Sequence, residues 1–171
     1  MAEPPTRRLF FALWPAPELA QALTAWQAAL PRHGGRRVPQ HNLHLTLAFA
    51  GDVDAAMAAC LQQGAEAVTA PAVALTLDRM DRFGPLLWIG PSQTPPPLAA
   101  LAEQLAALLT RCGLTPDPRP YRPHVTLIRH AHRAPTQLPE PPALPWHADH
   151  FCLAESLPGQ PYRLLQRYRL A

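Results

Sequence analysis

His44-Leu45-Thr46-Leu47 and His124-Val125-Thr126-Leu127 decide how this chain is read. With eight histidines and 48% hydrophobic residues, His-apolar-Thr-apolar should occur by chance about 0.1 times in such a sequence. It occurs twice. Each copy alternates polar and apolar positions, the signature of a half-buried strand. In a strand, residues i and i+2 share a face, so His44 lies beside Thr46 and His124 beside Thr126. Leu45, Leu47, Val125 and Leu127 then point to the buried side. Imidazole and hydroxyl on one face suit a cleft better than a core.

Working outward, Arg8 to Trp14 reads as a buried first strand stopped by Pro15. A helix follows from Pro17, with Leu19, Leu23, Trp26 and Leu30 at helical spacing and Gly34-Gly35 beyond it. Leu43 to Phe49 forms the strand of the first motif, closed by Gly51. Asp52 or Asp54 caps a second helix running to about Val68. Val73 to Leu77 and Leu86 to Gly90 read as strands separated by a turn segment at Gly84-Pro85. Leu98, Leu101, Leu105 and Leu108 mark a third helix, ending near Gly113. Tyr121 to Arg129 holds the second motif's strand, and Arg133 to Trp146 reads as a proline-rich surface loop. Phe151 to Ser156 and Tyr162 to Leu170 close the chain as a strand pair. The expected class is α+β, with helices outside mostly antiparallel sheets. At 171 residues it is read as one bilobal domain, 1–171, and the way each half carries a helix before its His-x-Thr strand suggests duplication.

Two imidazoles and two hydroxyls aimed into one cleft suit a phosphodiester. One neutral histidine takes a proton from attacking water while the other, protonated, gives one to the departing ribose oxygen. An ordinary imidazole pKa of ~6.5 lets both forms exist near neutrality, so a bell-shaped rate around neutral pH is expected. Thr46 and Thr126 can donate to non-bridging oxygens as charge accumulates, and Arg129 can add charge-assisted contacts. Alone, either motif would pass for a structural histidine; together, with their flanks, they read as a site.

Composition removes several alternatives. All fifteen basic residues are arginine, which excludes a P-loop lysine, a Schiff base and a lysyl-nucleotide route. Arginine suits bidentate phosphate contacts, although a net charge of +3 by itself proves nothing. Zinc would need three or four converging ligands, which His41-x-x-His44, His130-x-His132 and His147-x-x-His150 do not promise; no metal and no cofactor are expected. Cys60, Cys112 and Cys152, widely spaced and odd in number, read as buried free thiols. Arg36-Arg37 with Arg32 is either a phosphate-tracking patch or a solvated helix end. Tyr121 and Phe83 are candidates for base stacking or, more simply, core. Met1 to Arg8 lacks the pattern of a signal peptide and no apolar run is long enough to span a bilayer, so a cytoplasmic protein with no membrane partner is expected.

These stretches also carry a family likeness. Asn42-Leu43-His44-Leu45-Thr46-Leu47-Ala48-Phe49-Ala50-Gly51 and Pro123-His124-Val125-Thr126-Leu127-Ile128-Arg129 resemble the two motifs of the 2H phosphoesterase superfamily. Within it, the chain is similar to the RNA 2′,3′-cyclic phosphodiesterases, also called 2′-5′ RNA ligases. Arg8 to Leu13 looks like the family's opening strand, and Leu153 to Ser156 with Gly159 and Tyr162 like its closing hairpin. His41 departs from the usual pattern. The resemblance implies a bilobal 2H phosphoesterase fold with two mostly antiparallel sheets lining a central cleft. It implies opening of a 2′,3′-cyclic phosphate to a 2′-phosphomonoester, with His44 as proton donor to the 3′ oxygen and His124 as the base. Expected partners are RNA bearing such an end or a small cyclic nucleotide, met by a monomer. The alternatives are ATP-independent 2′-5′ end joining, by the reverse reaction, and a non-catalytic RNA-end binding module.

Overall fold

Arg7–Leu13 (β1) is apolar on successive residues because both of its faces are covered. Leu9, Phe11 and Leu13 enter the main core, while Phe10 and Ala12 face the other way, beneath Trp14 and Tyr162. A computed structural model describes residues 5–171; Met1 to Pro4, half of the segment read above for a leader, lie outside the described residues. After β1 come α1 (Pro17–Ala29), β2 (Arg36–Arg37), a 3-10 turn (Gln40–Asn42) and β3 (Leu45–Val53). Then follow α2 (Ala55–Glu66), β4 (Val73–Leu77), β5 (Arg79–Phe83), β6 (Leu86–Gly90) and α3 (Pro96–Arg111). The chain ends with β7 (Val125–Arg129), β8 (Leu144–Ala148), β9 (His150–Ser156) and β10 (Arg163–Arg169).

Every strand pairing is antiparallel. One lobe has the order β10-β9-β1-β3 and the other β7-β6-β5, with β2 and β4–β8 outside that path. The lobes meet edge to edge at one residue pair, Leu45 opposite Val125. β2 continues along the same edge of β7, Arg36 opposite Arg129 and Arg37 opposite Ile128. Helices pack on one face, α2 over β1 and β10, α3 over β3 and α1 over β7. The main core lies between, leaving the opposite face free to line a cleft.

Local sequence explains the helices. Pro17 opens α1 at a position where its missing N–H costs nothing. Asp54, rather than Asp52, caps α2 by accepting the Met57 N–H at 2.8 Å. Leu98, Leu101, Leu105 and Leu108 of α3 are buried as their spacing predicts.

Four readings need correction. The turn segment before Gly84 contains a strand, β5, whose Arg79, Asp81 and Arg82 hid its β character; it is held by its ladder to β6. Leu144 to Ala148, partly assigned to the proline-rich loop, pairs with β4, while Arg36-Arg37 is an edge strand rather than a helix end. Cys60 and Cys112 are not free thiols but a disulfide, with sulfurs 2.07 Å apart across 52 residues of sequence. Their closeness comes from the crossing of α2 and α3, where Gly64 leaves only enough room for Leu108. That contact is tertiary and has no signature in cysteine spacing. Cys152 alone is a buried free thiol, as expected.

Candidate active site

The Leu45–Val125 pair sets the register of the whole site. Extended by one residue each way, antiparallel pairing puts His44 across from Thr126 and Thr46 across from His124. All four lie on the face opposite Leu45 and Val125, which are fully buried. Each of the four is half-buried, as expected for groups lining a cleft rather than filling a core. The two motifs thus form a local pseudo-twofold quartet.

The repetition extends to the backbone. In β3 the register against β1 skips Leu47, between the pairs Ala12–Thr46 and Phe11–Ala48. In β7 the register against β6 skips Leu127, between Trp88–Thr126 and Leu87–Ile128. Each motif therefore carries a bulge at its fourth residue, which resets the alternation of faces. Strict alternation would send Arg129 to the core side with Val125 and Leu127. After the bulge it stands on the cleft side, exposed, and its charge acts on both His44 and His124. The bulge carbonyls are held: buried Gln27 donates to the Leu127 carbonyl at 2.7 Å, as does the Val38 N–H at 2.9 Å. In the first motif the Tyr121 hydroxyl donates to the Thr46 carbonyl at 2.9 Å. Tyr121 is thus a half-buried support, and desolvation pushes its phenol upward in pKa.

Both imidazoles are oriented alike. Nδ1 of His44 is 2.7 Å from the Asn42 carbonyl, and Nδ1 of His124 is 2.8 Å from that of Arg122. A carbonyl can only accept, so Nδ1 carries the proton in each and Nε2 is left for chemistry. The 3-10 turn before His44 is fastened at three points. Trp14 Nε1 donates to the His41 carbonyl at 3.3 Å, the Asn42 carbonyl receives His44, and Asn42 Oδ1 accepts the Tyr162 N–H at 3.1 Å. His41 lies in that turn.

Aromatic rings pack around each histidine. Trp14 stacks on His44 at 4.9 Å with planes 13° apart, with Phe10 at 5.0 Å and Tyr162 edge-on at 5.1 Å. Phe83 meets His124 edge-on at 5.1 Å, and Trp88 lies at 5.7 Å. Phe83 is exposed rather than core, with the Arg122 guanidinium over its ring. Trp14, Asn42, Gln27 and Tyr162 escaped sequence reasoning as site residues. Their only trace was that Asn42 opens the first quoted motif and Tyr162 belongs to the quoted closing hairpin.

Burial lowers the pKa of His44 to about 4, against the Asn42 carbonyl, which raises it; Arg129 and a charged His124 lower it further. His124 is lowered as well, again chiefly by burial, with Arg129 and Arg122 contributing. Both shifts favour the neutral imidazole at pH 7 in the free protein, and a bound anion would favour the cationic form of His44. Among the described residues, no three His, Cys, Asp or Glu side chains converge in a way that could hold a metal ion. Nor does any described helix have the length and apolarity to cross a membrane.

Comparison with known proteins agrees with this geometry. Residues 15–160 match the family model described as the 2′-5′ RNA ligase superfamily. The chain is 38% identical over 149 residues to the RNA 2′,3′-cyclic phosphodiesterase of Escherichia coli K12, covering 85% of this chain and 82% of that one. It superposes on the crystal structure of E. coli LigT complexed with 3′-AMP with a TM-score of 0.89 at 32% identity, covering 98% and 99% of the two chains. For TT0787 of Thermus thermophilus the TM-score is 0.81 at 26% identity, covering 95% and 97%.

Proposed function

Because the chain belongs to the 2′-5′ RNA ligase superfamily, we propose that it opens RNA 2′,3′-cyclic phosphate ends to 2′-phosphomonoesters, with His44 and His124 as its acid–base pair. It is an enzyme of phosphodiester hydrolysis. The observation that carries the mechanism is the quartet on one cleft face, where both histidines hold Nδ1–H on a backbone carbonyl and so free Nε2.

The neutral Nε2 of His124 accepts a proton from water as its oxygen attacks phosphorus. The P–O3′ bond breaks, and Nε2–H of cationic His44 gives its proton to the departing 3′ oxygen. The phosphate stays on O2′. His44 acquires that proton only when an anionic phosphate offsets its burial, which couples acid activation to substrate binding. Thr46, Thr126 and Arg129 donate to the non-bridging oxygens, whose charge rises in the transition state. Both motifs come from one chain within a single two-lobed unit, so one copy suffices and a monomer is the proposed active form. Its proposed partner is an RNA end or small cyclic nucleotide, and its proposed compartment the cytoplasm.

Turnover of an oligonucleotide ending in a 2′,3′-cyclic phosphate, in excess EDTA, tests this reading. The expected product is the 2′-phosphomonoester, at a rate the chelator leaves unchanged. A 3′-phosphate product, or activity lost in EDTA and restored by zinc, contradicts it.

A further inference from the structure

The repetition between the motifs has one break. Arg129 stands five residues after His124, on the cleft side beyond its bulge; five residues after His44, beyond the matching bulge, stands Phe49. Phe49 lies directly across from Phe10, so the two share the cleft face, and Phe10 touches the His44 ring. Phe49 is nevertheless 49% exposed, the most exposed large apolar side chain among the described residues. It ends a row running Leu164, Ala154, Phe10, Phe49 across four strands. Leu164, at the far end, is exposed as well.

Arg8 holds its guanidinium over the Phe49 ring, 5.2 Å from the centroid. Its neighbour Arg7 is paired with Glu155 at 2.7 Å, but Arg8 makes no ion pair among the described residues, although Asp52 lies across from it in β3. An exposed aromatic ring with a guanidinium over one side of it is a pairing suited to a single-stranded base and its phosphate. The place is continuous with the site. Along β3, Phe49 is about 10 Å from Thr46, at about 3.3 Å per residue. His44, the proposed donor to the leaving ribose oxygen, belongs to this same lobe, so the reacting ribose and the chain 5′ of it lie on this side.

We propose that Phe49 and Arg8 form a subsite for the nucleotide 5′ of the reacting end, Phe49 stacking on its base and Arg8 contacting its phosphate. The inference rests on the phosphodiesterase reading above. It makes the enzyme one that prefers RNA ends to free cyclic mononucleotides, and gives lobe one a binding role where lobe two has Arg129.

The test compares kcat/KM on adenosine 2′,3′-cyclic phosphate with that on a tetranucleotide ending in the same group, at fixed ionic strength. Wild type should favour the tetranucleotide. Phe49→Ala and Arg8→Gln should each lower tetranucleotide kcat/KM by about 5- to 100-fold, mainly through KM, the range expected for one base stack. Mononucleotide turnover and thermal midpoint should not move, and Phe49→Trp should restore the preference. Equal wild-type values on the two substrates, or a preference that survives both variants because the strand runs over Phe83 and Arg122 instead, would overturn the subsite alone. Equal losses on both substrates would also overturn it, by making these residues structural. A wild type inert on both would overturn the phosphodiesterase reading, and the subsite with it.

Discussion

Binding a phosphodiester should raise the pKa of His44 by more than two orders of magnitude in proton affinity. In the free protein burial lowers this imidazole from 6.5 to about 4. A bound monoanion beside it offsets that cost, and the mechanism requires His44 to be cationic in the complex near neutral pH. Returning from about 4 to at least 6.5 is a change of roughly 300-fold or more in proton affinity, since each pH unit is tenfold. Linkage is reciprocal, so the anion must bind protonated protein tighter by the same factor. The bound form therefore takes up a proton between pH 4 and 6.5, and affinity climbs about tenfold per unit as pH falls through that window. Below about 4 it levels off, because the free protein is already protonated. A suitable ligand is a phosphodiester the enzyme cannot open, whose own charge is constant over the range. NMR titration of the His44 ring with and without it gives the two pKa values, and calorimetry on His124→Ala isolates the single proton. A free-state pKa near 6.5, or an affinity flat with pH, would refute the reasoning.

Other outcomes follow from the same geometry. The kcat/KM profile should be a bell displaced to the acid side of the ordinary imidazole range, because both histidines are lowered in the free protein; stopped-flow assays across pH 4–8 check it, and a bell centred above pH 7 would contradict it. Thr46→Val and Thr126→Val should cut kcat by roughly 10–1000-fold with little change in KM, if the hydroxyls act mainly in the transition state. Unchanged kcat in both would make them structural. Reducing Cys60–Cys112 reopens a 52-residue loop, a chain-entropy loss of about 4 kcal/mol. Calorimetry with and without dithiothreitol should show the midpoint falling by about 8–16 °C while kcat at 25 °C holds, since the bond lies on the helical side away from the cleft. No change in midpoint would contradict that loss.

Much of this site was legible in the sequence because its information is local. Alternation fixes which side of a strand a residue faces, so His44, Thr46, His124 and Thr126 could be assigned to one kind of face before any pairing was known. Helices with strong apolar spacing, such as Pro96–Arg111, were equally plain. What escaped notice depends on partners distant in sequence. Arg129 was named from the sequence, but its route to the cleft was not: a bulge at Leu127 breaks the alternation, and that bulge is supported by Gln27, 100 residues away. Strand Arg79–Phe83 is polar and exists through its ladder to Leu86–Gly90. The disulfide follows from two helices crossing at Gly64. The acid shift of both histidines is a property of burial, which no motif encodes.

The division of labour between His44 and His124 is tested most directly by changing the leaving group. On a 2′,3′-cyclic phosphate, His44→Ala and His124→Ala should each lose about 10²–10⁴-fold, and the double variant should be little worse than the weaker single one. An aryl phosphodiester whose nitrophenolate departs without a proton needs no acid. His44→Ala should therefore approach the wild-type rate on it, while His124→Ala stays impaired on both substrates. Rescue of His124→Ala instead would reverse the two roles, and full activity of either single variant on the cyclic phosphate would contradict two-histidine catalysis altogether.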